Sequence, residues 1–152
     1  MKGKAICVVG YGEVPGDKVD DVRRELRREV QAALDDGYRT FKAEFKGVGI
    51  LFAQCVSEQR EQCADIFIEV VLPHPKQRNQ LTSEEQELLS TCNGFYLLPE
   101  EYQEDYPLAV TRRLTGKSER VIVIHINPLD RNTAYATDYT LAMGWDLRIL
   151  EI

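Results

Sequence analysis

Three stretches of this chain have residue types that could receive an anion. The first, Gly10-Tyr11-Gly12-Glu13-Val14-Pro15-Gly16, follows the short apolar run Ala5 to Val9. The second, Lys46-Gly47-Val48-Gly49, sets a cation beside two glycines, and amides unshielded by side chains can approach a phosphate closely. The third, Leu129-Asp130-Arg131-Asn132-Thr133, offers an arginine able to make forked bonds to phosphate or carboxylate. Just before the second stretch stands Glu44, the best single carboxylate for general acid–base chemistry.

The three turns are not equivalent. The first has the spacing G-x-G-x-x-x-G rather than the G-x-G-x-x-G of a dinucleotide fingerprint. Asp17, Asp20 and Asp21 follow it, where they complement a helix dipole themselves and repel a pyrophosphate. That argues against nicotinamide dinucleotides, and no cofactor is called for. Each stretch also has a plainer reading. Glycines turn the chain tightly, Lys46 is solvated, Asn132 or Thr133 caps a helix, and Arg112 and Arg113 are exposed cations.

Other chemistries lack their residues. His74 lies between prolines and His125 within an apolar run, so both read as structural. There is no Ser-His-acid set, no G-x-S-x-G and no metal-ligand spacing. Cys7, Cys55, Cys63 and Cys92 form no C-x-x-C pair and read as reduced thiols of a cytoplasmic protein. A formal charge of −6 argues against nonspecific binding to nucleic acid or an anionic membrane. No stretch has the apolar length of a membrane span, and the opening run is too short for a signal peptide.

The elements that must hold these stretches are legible as alternating strands and helices. Ala5 to Val9 reads as the first strand. Asp17 to Asp36 reads as a helix, with Val19, Val22, Leu26, Val30, Ala33 and Leu34 in one stripe, Asp17 as N-cap and Gly37 as its stop. Tyr38 to Ala43 is the second strand, Ile50 to Gln62 the second helix and Ile66 to Leu72 a buried third strand. Thr82-Ser83-Glu84-Glu85 has the form of a capping box. A fourth strand covers Gly94 to Leu98, a helix Pro107 to Leu114 and the strongly β-prone fifth strand Val121 to Ile126. A helix over Thr133 to Met143, stopped by Gly144, and a strand over Asp146 to Glu151 complete the chain. Such alternation calls for a parallel sheet covered on both faces, in one domain spanning 1–152.

The order of these motifs resembles the SLOG superfamily of Rossmann-like domains, which includes the DprA/Smf and LOG groups, and most of all its YpsA-like branch of uncharacterised bacterial proteins. The resemblance rests on the first strand ending in Gly10, on Val22-Arg23-Arg24-Glu25-Leu26 through Asp36-Gly37-Tyr38-Arg39-Thr40-Phe41, and on Gly47-Val48-Gly49 before Leu51-Phe52-Ala53. It continues through Leu72-Pro73 with Gln77, Arg112, and Asn132-Thr133-Ala134-Tyr135. It implies a three-layer α/β/α Rossmann-like fold with a mostly parallel six-stranded sheet, in the order 4-3-2-1-5-6 with strands one and five central. It implies a nucleotide or nucleotide-like anionic ligand above them, in a pocket lined by Gly10, Tyr11, Lys46, Gly47, Gly49, Arg131, Asn132 and Thr133, with Arg112 nearby, and a homodimer. The chain departs from the pattern at Gly10-Tyr11-Gly12, where the branch has Gly-His-Arg, and lacks the Pro-Gly-Gly-x-Gly-Thr of the LOG hydrolases. Hydrolysis is therefore not carried over. Two alternatives stand beside ligand binding: a degenerate member acting through protein contacts, and a phosphoribohydrolase-type enzyme using Glu44 on a nucleoside monophosphate.

Overall fold

A computed structural model describes residues 4–10, 14–72, 79–97, 106–116, 118–126 and 131–152, with the backbone alone at 106–109 and 131–132. Strands β1 (Ala5–Val9), β2 (Thr40–Glu44), β3 (Phe67–Leu72), β4 (Gly94–Leu97), β5 (Arg120–His125) and β6 (Asp146–Glu151) alternate with helices α1 (Val19–Asp35), α2 (Val48–Glu58), α3 (Ser83–Thr91), α4 (Tyr106–Thr115) and α5 (Arg131–Met143). The six strands form one sheet in the order β4-β3-β2-β1-β5-β6, and every neighbouring pair is parallel. The middle positions fall to β2 and β1, with β5 on the other side of β1. Strand order reverses between β1 and β5, which is where doubly wound sheets open a crevice at their C-terminal ends. This is a three-layer α/β/α Rossmann-like fold.

Strand alternation splits the core in two. Ile6, Val8, Phe41, Ala43, Ile68, Val70, Ile122 and Ile124 face α1, α2 and α3 through Val22, Leu26, Phe52 and Leu89. Cys7, Val9, Val71, Val121 and Val123 face α4 and α5 through Val110, Leu114 and Ala136. Among the described residues the second layer is the smaller and less apolar. Lys42 is buried at 8% exposure, in register with Cys7 on one side and Glu69 on the other. Burial pushes the Cys7 thiol up to about 12, so it is a packing group rather than a nucleophile.

Local chemistry sets most boundaries. Thr82 and Glu85 close the capping box in both directions, at 3.1 and 2.9 Å. Gly37 and Gly144 end α1 and α5 at φ of +91° and +71°, a conformation that glycine adopts without steric cost. Several expected limits move. Asp17 does not cap α1: the helix is entered through a 3-10 turn over Gly16–Lys18, and Lys18 holds the cap position without a side-chain bond. Tyr38 precedes β2 instead of opening it, because its amide closes α1 by donating to the Ala33 carbonyl. Helix α2 starts two residues early, at Val48. Helix α5 starts at Arg131, so Asn132 and Thr133 lie in its first turn and neither is the cap.

Candidate functional site

Because all strands run one way, the turns after β1, β2 and β5 leave the same rim of the sheet. A cavity of about 20 Å³ opens there, lined by Val8, Val9, Gly10, Glu44, Lys46, Gly49, Val110, Thr111 and Leu114, with room for about one water molecule. It joins the end of β1, the β2–α2 turn and the inner face of α4. The Glu44 Oε2 atom is buried and has no hydrogen-bond partner among the described residues. Burial raises the Glu44 carboxyl to about 7, against the opposing pull of the Lys46 charge. A carboxyl held there exchanges its proton at neutral pH and can either donate or accept a hydrogen bond.

The glycines bring α2 onto the strand ends. Gly47 has a φ of +53°, which lets the chain reverse from β2 into α2. A methyl on Gly49 would lie 1.6 Å from the Glu44 carbonyl oxygen, and one on Gly10 would lie 2.9 Å from Val48. Close packing therefore explains both positions. The expectation of bare amides across 47–49 is corrected in part: Gly49 donates to the Lys46 carbonyl at 3.0 Å and Ile50 to Gly47 at 3.1 Å. Helix α2 carries no acid in its first turn, and Lys46 is exposed beside it. By contrast α1 has Asp20 and Asp21 in its first turn, as the sequence reading requires.

Among the described residues, the lining of this cavity includes none from the β5 side. The backbones of Arg131 and Asn132 open α5 on the same rim, but α5 packs on the opposite face of the sheet from α2. Residues 127–130 and the side chains of Arg131 and Asn132 lie outside the described residues. Thr133 is buried at 2% exposure, and its carbonyl accepts the Thr137 hydroxyl at 2.8 Å. Arg112 does not line the cavity either: its guanidinium lies 5.7 Å from the Tyr135 ring, on the outer seam between α4 and α5. Tyr11 lies outside the described residues. The structure brings together Gly10, Glu44, Lys46 and Gly49, and adds Thr111, which the sequence reading missed. Its only signal was a threonine beside Val110 on the buried stripe of a short helix. The buried His125 Nε2 has no hydrogen-bond partner among the described residues.

Among the described residues, no three His, Cys, Asp or Glu side chains are grouped to hold a metal ion, and no helix is long and apolar enough to cross a membrane. No protein-family model matches the chain, and no curated protein matches it. Among solved structures, the chain is similar to the X-ray structure of TM1055, a Northeast Structural Genomics Consortium target. The two share 19% identity at a TM-score of 0.61, over 95% of this chain and 72% of that one. A likeness at that identity carries the fold alone, and the fold agrees.

Proposed function

We propose that this chain is a SLOG-type, nucleotide-binding Rossmann-like domain, in the YpsA-like branch. Its ligand lies across the mouth of the cavity at the ends of β1 and β2. The observation that carries the reading is Glu44 at the end of β2, whose carboxyl has one buried oxygen without a partner among the described residues. In open α/β sheets an acid in that region receives the ribose hydroxyls of a nucleotide. Lys46 and the start of α2 supply the positive charge for an anionic group, and Gly10 and Gly49 keep the wall low. Membership of the branch, the cytoplasmic setting suggested by four free cysteines and the single domain over 1–152 belong to the same proposal. Arg131, Asn132 and Tyr11 remain candidate contacts from the sequence pattern.

The test is thermal stabilisation by adenosine monophosphate and ribose 5-phosphate. Saturation near a hundred times the dissociation constant raises the melting temperature by roughly 5–10 °C. Glu44→Gln and Lys46→Ala each reduce the shift. No shift in the unmodified protein with either compound at millimolar concentration overturns the reading. A second reading, catalysis on such a nucleotide, is favoured by one observation: a carboxyl near 7 is matched to general acid–base work. Turnover of a nucleoside monophosphate that Glu44→Gln abolishes is its test. A third, contact with another protein or a second copy, is favoured by exposed Leu141, Met143 and Ile149 near the β6 edge. A concentration-dependent mass in sedimentation is its test.

A further inference from the structure

Strand β6 ends the sheet, and among the described residues it pairs with β5 alone. The Asp146 amide donates to the Glu119 carbonyl and the Ile152 amide to the His125 carbonyl, each at 3.1 Å. Alternate residues of a parallel strand bond to the same neighbour, so Asp146, Arg148, Leu150 and Ile152 turn their backbone groups toward β5. Leu147, Ile149 and Glu151 turn theirs outward, and such an edge is a template for a further strand. The one cation of β6, Arg148, is drawn onto Asp146 at 3.2 Å and toward Glu29 at 4.0 Å, so its charge is held within the fold.

A hollow of about 340 Å³ lies beside this edge, between the start of α1 and residues 149–152. That volume is enough to receive long side chains. Three of the charged residues that line it, Asp21, Glu25 and Glu151, are acids, and the fourth, Arg24, already lies 2.9 Å from Asp21. Glu29 stands one turn beyond Glu25 on α1, and its buried Oε2 has no hydrogen-bond partner among the described residues. Register assigns the faces. Arg148 and Leu150 pair with Ile122 and Ile124, which face α1. Ile149 pairs with Val123, which faces α4 and α5, and it is 44% exposed. A strand added to β6 therefore sends alternate side chains to the side of the acids and the others to the side of Ile149.

We propose that the β6 edge docks an extended segment of another protein, with lysine or arginine at alternate positions and apolar residues between them. Backbone bonds to Leu147, Ile149 and Glu151 supply affinity, and the acids of the hollow together with Ile149 select the pattern. A second copy is the poorer occupant. Two-fold pairing edge to edge keeps the faces of the sheet in common, so it brings the partner's acids to the side that already holds Asp21 and Glu25. This contact rests on the reading of contact with another protein, and it holds with or without a nucleotide at the rim.

Fluorescence anisotropy of the whole chain with a short labelled peptide alternating lysine and valine is the test. Micromolar binding that weakens with added salt is expected, and a peptide of the same composition with its lysines gathered at one end binds about ten-fold more weakly. In either strand direction, one set of alternate peptide amides bonds to the edge and the other set points away. Methylating one set lowers the affinity about ten-fold, and methylating the other leaves it in place. Ile149→Pro deletes an outward amide without touching the β5 ladder and weakens binding as methylation does; Glu25→Gln weakens it and flattens its salt dependence. No binding of the alternating peptide, equal binding of the two lysine arrangements, or tolerance of methylation in both sets overturns the proposal. Concentration-dependent mass in sedimentation that Ile149→Pro abolishes, with no peptide bound, assigns the edge to a second copy; it overturns the basic segment and spares the broader reading of protein contact.

Discussion

The two ends of the sheet treat buried charge in opposite ways. At the N-terminal end, Arg120 is nearly enclosed, with its side chain 6% exposed. Its Nη2 donates to Asp36 and its Nε to Asp146, each at 2.7 Å, and the Tyr38 ring lies 4.6 Å from its guanidinium. That arginine ties the end of α1 to the starts of β5 and β6. At the C-terminal end Glu44 is half-buried, its Oε2 atom is buried with no partner among the described residues, and its carboxyl rises to about 7. A buried ion with partners holds elements together, whereas one without them is a standing cost. Each group keeps one buried atom unpartnered among the described residues, Arg120 Nη1 and Glu44 Oε2, but the arginine is offset by two carboxylates, whereas the carboxyl lies at the rim where parallel sheets bind ligands, beside glycines that leave no side chains to fill the space.

The comparison can be broken by substitution. The largest effect is expected at Gly49→Ala, whose methyl would meet the Glu44 carbonyl oxygen at 1.6 Å. Lifting α2 from β2 costs about 3 kcal/mol or more, read as a lower denaturation midpoint. Next is Arg120→Met, which removes two charge-assisted bonds and costs about 2–3 kcal/mol by the same measurement. A loss below about 0.5 kcal/mol would remove the contrast between the ends. Smallest, and of opposite sign, is Glu44→Gln. The folded-state value lies above the unfolded one, so the native carboxyl holds its proton more tightly than the unfolded chain does. Stability is full below about pH 4.5 and falls as pH rises to about 7. Raising the carboxyl from 4.5 to about 7 is worth about 3 kcal/mol, which solvent screening at this half-exposed residue reduces, so the substitution stabilises by about 2 kcal/mol at pH 8 and by nearly nothing at pH 4. Equal effects at both pH values would show that the carboxyl is not desolvated in the native state.

Much of the fold was legible because local rules decide it. The stripe from Val22 to Ala33 makes one helical face, Thr82 and Glu85 cap a helix by contacts three residues apart, and Gly37 and Gly144 stop helices by a backbone freedom read from residue type. The β-prone run at β5 and the alternation of strand and helix implied the parallel sheet. The site was legible only in pieces. Lys46 and Gly49 belong to the one turn that reads as an anion cradle, and Gly10 enters through the family resemblance; the structure gathers the three at one cavity, but the glycines are explained by the approach of α2. Arg112 belonged to a plausible cationic set, yet the packing of α4 on α5 turns it to Tyr135.

The sequence by itself determined which segments become strands and helices, since periodicity, caps and turn residues act over a few positions. Only the tertiary structure decided which polar groups lose their water. Burial depends on what packs over a residue from distant parts of the chain: α4 over Glu44, and Asp36 and Asp146 around Arg120. Glu44 and Lys42 lie two residues apart on one strand and one face, and no local pattern distinguishes the carboxyl at the rim from the amine in the layer beneath α4.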